Sequence, residues 1–179
     1  MKPYRVEYVQ LAGWQADVVG LWAAENDDWL LLRSIPADFV VDGYVLLAKQ
    51  HIASRKPKHR RNQVEQILKL KGIEAEVPPG FAFCDVVGML QWVEGRYGLI
   101  EFADEEESMF LGWIRRVDAV HFWLDILTDD GTVSLNSTWE QAFVITEIQA
   151  IYFDTDYFNS IKMYWQHMEQ SKFTKPSDN

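Results

Sequence analysis

A chain of 179 residues, 48% hydrophobic and 14% aromatic, can bury a sizeable core in one domain or two small ones without disulfides or a structural metal. Its single cysteine, Cys84, excludes an intrachain disulfide and a cysteine-rich zinc site. A net charge of −10 opposes generic binding to nucleic acid or anionic lipid, and no apolar run approaches the ~20 residues that a membrane-spanning helix needs.

The opening residues Met1–Glu7 contain no secretory apolar region, so a cytoplasmic protein is expected, and the sequon Asn136-Ser137-Thr138 reads as chance. Strands are predicted at Val6–Gln10, Val18–Ala24, Trp29–Ile35, Tyr44–Ala48 and near Ile52. They are broken at Gly13-Trp14, at the polar turn Glu25–Asp28, at Pro36–Asp38 and at Asp42-Gly43. Five short strands joined by tight turns imply a small antiparallel barrel rather than a βαβ unit.

The middle of the chain changes period. From about His59, Val64, Ile67, Leu68 and Ile73 recur at helical spacing and Gly72 stops them. Glu74–Gly80, with Pro78-Pro79, reads as a loop. Asp85 is placed to cap a helix in which Val86, Met89, Leu90 and Val93 share one face, ended by Gly95 and Gly98.

Strands return at Leu99–Phe102, Met109–Val117, Val120–Leu127, Ala142–Thr146 and Ala150–Phe153, with turn signals at Asp104–Glu107, Asp118 and Asp129-Asp130-Gly131. A closing helix is predicted from about Tyr157 to Met168, and a polar tail follows over Ser171–Asn179.

The two strand-rich halves share a spacing. Gly20 to Ile35 and Gly112 to Leu127 both run from glycine through a large apolar pair and a polar turn to an apolar run. Further on, Val45-Leu46 and Ile52 match Val144-Ile145 and Ile151 at equal separations, with seven extra residues in the second copy around Thr132–Thr138. The recurrence of Asp17-Val18-Val19-Gly20 as Asp85-Val86-Val87-Gly88 is a coincidence, because the second falls in a helical pattern.

The pattern carried by Val18–Ile35 with Asp42–Ile52, and by Met109–Leu127 with Phe143–Phe153, resembles the small barrels of the SH3-like and Sm-like class. Sm-like proteins imply ring assembly and RNA binding, but the Asn-containing RNA pocket and Arg-Gly signature of that class have no counterpart here. Asp42-Gly43 is the nearest approach to the latter, and no functional residue is carried over. The expected fold is α+β, mainly β. Residues 1–56 and 98–170 would form two small SH3-like/Sm-like barrels, the second with a C-terminal helix; 57–97 would form a basic, helical linker region and 171–179 a flexible tail.

Catalytic and metal motifs are absent from the sequence. His51, His59, His121 and His167 lack metal-site spacing between themselves and with Cys84. The ten glycines form no phosphate-cradling loop and no nucleophile elbow. Asp154-Thr155-Asp156 reads as a helix cap and Asp104–Glu107 as a solvated turn. No catalytic residue, cofactor or metal is therefore expected.

Charge is the sharper signal. Between Lys49 and Lys71 lie eight of the 17 Lys and Arg residues with one acid, Glu65, which makes this segment +7 against −17 for the rest. Lys49, Arg55, Lys56, Lys58, His59, Arg60 and Arg61 are the candidate binding surface, joined by Trp14 and Trp139, two tryptophans in turn-like surroundings expected to be exposed. The function expected is a non-catalytic interaction or regulatory module, with a protein partner or self-association as the target. A narrower version is an immunity or antitoxin-like cover for a basic toxin. The alternative is RNA binding through the 49–71 segment, where phosphates would be held but no interleaved aromatics offer base stacking. No membrane partner is expected.

Overall fold

The longest apolar runs of the sequence become the centre of a sheet, because a strand covered on both faces needs apolar residues at successive positions. β1 (Val6–Leu11), β2 (Val18–Glu25), β3 (Trp29–Ser34), β4 (Tyr44–Ala48) and β5 (Ile52–Arg55) are followed by α1 (Arg61–Leu70) and α2 (Val86–Tyr97). Then come β6 (Ile100–Ala103), β7 (Met109–Val117), β8 (His121–Leu127), β9 (Val133–Ser134), β10 (Ala142–Val144), β11 (Ala150–Phe153) and α3 (Asp156–Phe173). The computed structural model describes residues 4–105, 108–134 and 142–173. The strands form one antiparallel sheet in the order β10-β8-β7-β6-β11-β4-β3-β2-β1-β5, with β9 pairing β8 off that path. The middle strands β6, β11, β4 and β3 are buried almost throughout, whereas β8, near one end, alternates buried Phe122 and Leu124 with half-buried neighbours.

Alternate residues of β3 and β4 feed two cores. Trp29, Leu31, Leu46 and Ala48 join Met89, Leu90 and Val93 of α2 and Ile100, Phe102, Phe122 and Phe153. Leu30, Leu32, Val45 and Leu47 pack on the other face with Val9, Leu11 and Trp14. α1 lays Val64 and Leu68 on Val6, Leu21 and Ile35. It is also clasped to the sheet by Glu65, which accepts from the Val6 amide at 2.8 Å and pairs with Arg61 at 2.8 Å. α3 covers Leu99, Leu111 and Leu127 with Phe158.

The α2 boundaries follow the local signals: Asp85 accepts from the Gly88 amide at 2.7 Å, and Gly98 ends the helix at φ 84°, where a side chain would be strained. For α3 the cap is Thr155, whose hydroxyl accepts from Phe158 N at 3.1 Å, and not an aspartate side chain from the Asp154–Asp156 run. Asp42 supplies the aspartate from far along the chain, accepting from Asp156 N at 2.8 Å.

The two halves pair in matching registers. Glu7↔Gly20 and Gly20↔Ser34 in the first correspond to Ile100↔Gly112 and Gly112↔Ile126 in the second. The register slips between Trp22 and Ala24, and again between Ile114 and Arg116. Trp29↔Ala48 corresponds to His121↔Val144, so Ala48 matches Val144 and the later alignment expected from spacing is displaced by three residues. A 3₁₀ turn precedes the last strand of each half, at Lys49–His51 and Ile145–Glu147. The mainly β, α+β class therefore holds. The halves are not pairing-isolated units, however: Ala150↔Leu47, Ile151↔Leu46 and Tyr152↔Val45 fuse them into a continuous sheet through β11 and β4. The expected helical linker is two helices packed on that sheet.

Candidate functional site

The basic segment folds back on the chain's own carboxylates. Lys49, at the 3₁₀ turn after β4, lies 3.1 Å from Glu25. Arg55, in β5, reaches Glu25 at 2.7 Å and Glu7 at 3.2 Å across the neighbouring strands. Burial alone would raise the Glu25 carboxyl, but hydrogen bonds from Arg55 and Lys49 outweigh it and hold the group at about 2. Lys58 pairs with Asp17, and Arg60 lies 3.6 Å from Asp38 and over the Phe39 ring. Lys69 sits over Tyr4 and Lys71 donates to the Phe39 carbonyl at 2.7 Å. Of the expected surface, Lys56 and His59 have no ion-pair partner among the described residues. The strip's charge is thus largely neutralised in place, which charge counting along the sequence could not reveal.

Trp14 corrects an expectation. It is 9% exposed and packs with Val9, Leu11 and Val18, because Gln10 donates its side-chain amide to the Trp14 carbonyl and turns the residue inward. Trp139 and the sequon lie outside the described residues.

Which strands form the open edges is decided by the pairing. β4 pairs on one side with β3 and on the other with β11, and β11 pairs with β6 and β4. Among the described residues, β10 stands where β4 stands yet pairs with β8 alone, and β5 stands where β11 stands yet pairs with β1 alone. At the inner junction Ala48 N donates to the Gln149 carbonyl at 2.9 Å, and the Gln50 and His51 side chains contact the Thr146 carbonyl at 3.2 and 2.8 Å. The sheet therefore ends on two edges whose counterparts are already joined to each other. The signal in the sequence was the shared spacing of the halves, but edges appear only once pairing is known.

A missed feature is Glu101, in β6. It is a lone carboxylate between Ile100 and Phe102 in an otherwise apolar strand. It is 5% exposed and its Oε2 has no hydrogen-bond partner. It lies in a cleft of about 470 Å³ lined also by Asp42, Thr155, Tyr152, Tyr157 and Met109. Burial, and next the Asp42 carboxylate, push Glu101 up to about 7, and the Thr155 hydroxyl offsets only part of this. Cys84 is exposed, and burial of the thiol and the nearby Asp85 raise it, which opposes nucleophilic use. No group of three or more potential metal ligands occurs among the described residues, and no described helix is long and apolar enough to cross a membrane.

Compared with known proteins, the chain matches no family model, no curated protein and no solved structure.

Proposed function

We propose that this protein is a non-catalytic assembly module that binds copies of itself through its two open strand edges. The observation that supports this reading is the junction already present within the chain, β4 against β11, whose counterparts β10 and β5 each have one strand partner, β8 and β1, and no second one among the described residues. Repeating that junction between copies sets Ser54 of one opposite Phe143 of the next, and Arg55 opposite Ala142. It also directs the Val144 amide to the Ala53 carbonyl, as Ala48 is directed to Gln149. Main-chain pairing supplies affinity and the facing side chains fix the register. Charge assists, since the β5 edge continues into Lys56 while the half that carries β10 is rich in acids.

In this reading residues 1–56 and 98–170 are two copies of one small SH3-like or Sm-like barrel unit, an internal repeat supported by the matching registers and slips. A head-to-tail junction closes into a ring where its rotation permits and otherwise extends into a filament. The cytoplasm is the proposed location.

Sedimentation and native mass spectrometry test the proposal. The expected result is a concentration-dependent species of several copies, lost on Ala142→Arg, which places a cation against Arg55 at an exposed position and leaves the monomer folded. A wild-type chain that remains monomeric across the micromolar range would refute it. RNA binding through 49–71 has weaker support, because five of its eight cations, Lys49, Arg55, Lys58, Arg60 and Arg61, are engaged by Glu25, Glu7, Asp17, Asp38 and Glu65.

A further inference from the structure

We infer that the cleft floored by Glu101 and Asp42 is a binding site for an organic cation, a primary ammonium or guanidinium carried on an aliphatic stem. The cleft lies between β6, β11 and the first turn of α3, in the middle of the sheet and not at either open edge.

Four observations carry this. Glu101 is almost wholly buried with Oε2 unpartnered, and an ionised carboxylate in that position is costly until a cation or donor meets it. Asp42 faces it across the cleft and is held in place by the Asp156 amide at 2.8 Å, so two carboxyl groups converge on one space. None of the described residues lining the cleft is basic. The lining also includes Tyr152, Tyr157 and Met109, two aromatic residues and a thioether of kinds that suit a cation and the methylenes behind it. A volume of about 470 Å³ falls within the range of small-molecule sites. A divalent metal fits less well, because two carboxylates among apolar walls fall short of the oxygen ligands that a hard cation collects.

The guest's cationic head can come from a free amine or from a Lys or Arg side chain of a partner. Titration of the full chain with agmatine, n-butylamine and a blocked Gly-Arg-Gly peptide separates these sources, read by calorimetry and by carbon NMR of the Glu101 carboxyl. Saturable binding above neutral pH that shifts the Glu101 signal is expected. Glu101→Gln and Asp42→Asn should each weaken it roughly tenfold or more with the fold retained by circular dichroism. Binding should also weaken as pH falls and Glu101 takes up its proton, Asp42 and the Tyr152 and Tyr157 phenols being the titratable groups that line the cleft with it. Binding of the amines alone assigns a free ligand, and binding of the peptide assigns a partner's side chain. Absence of saturable binding by all three probes, or equal binding to Glu101→Gln, overturns the inference.

Discussion

Replacing Glu101 by Gln keeps the shape of a buried side chain and removes its ionisation. In an unfolded chain the carboxyl titrates near its ordinary 4.5, whereas in the fold it is pushed up to about 7. The folded state therefore holds a proton that the unfolded state has released between those values, and stability falls as pH rises through that window. A displacement of roughly 2.5 pH units at about 1.4 kcal/mol each sets an upper bound of about 3 kcal/mol. The wild type thus carries no penalty from this group in mild acid and the full penalty above neutrality, while Glu101→Gln carries none at either end. Urea unfolding followed by tryptophan fluorescence across the pH range measures the gap between the two proteins. It should be near zero in mild acid and open in favour of Glu101→Gln to at most about 3 kcal/mol above neutrality, or roughly 6–12 °C in melting temperature for a chain of this size. Two stability curves that stay parallel across the window would show that Glu101 is not held protonated, and the reasoning about the cleft's floor would fail with them.

Two further outcomes are expected. Gly20→Ala and Gly112→Ala, at matching positions of the two halves, should each destabilise by about 1–3 kcal/mol or more in denaturant titration. The added Cβ would meet Leu32 Cβ at 2.6 Å in the first and the Asp125 carbonyl oxygen at 2.1 Å in the second, and neither neighbour can move cheaply. Arg55→Met should let the Glu25 carboxyl rise from about 2 toward its ordinary value, as followed by NMR titration. Because Glu25 is depressed in the fold, its contribution is present above its unfolded value and lost as pH falls through the folded one, so the variant should lose stability chiefly near neutrality, by about 1 kcal/mol or less for so solvent-accessible a group.

The strands were legible because their signals are local. The runs Trp29–Leu32 and Tyr44–Ala48 and the alternation of Phe122 and Leu124 lie within a few residues, and the turns that separate them are marked by glycine, proline and aspartate. Asp85 and Gly98 bound α2 for the same reason. The shared spacing of the halves was also visible, although its later part was displaced by three residues, because hydrophobic spacing does not record where a strand pairs. Trp14 was misjudged because its turn-like neighbours say nothing of the core beneath it. Glu101 was passed over because one acid does not disturb an apolar window.

The sequence by itself determined most of the strands and helices, though not β9 or the extension of the closing helix from Met168 to Phe173, and that positive charge is concentrated between Lys49 and Lys71. The tertiary structure alone decided that this charge is spent on Glu25, Glu7, Asp17 and Glu65, that β4 joins β11, and that Glu101 and Asp42 share one cleft. Asp-Val-Val-Gly illustrates the division: its valines open a strand at 18–19 and a helix at 86–87. Propensity and periodicity act over a few residues, whereas these pairings join residues up to more than a hundred positions apart, and only the closed fold holds them within hydrogen-bonding distance.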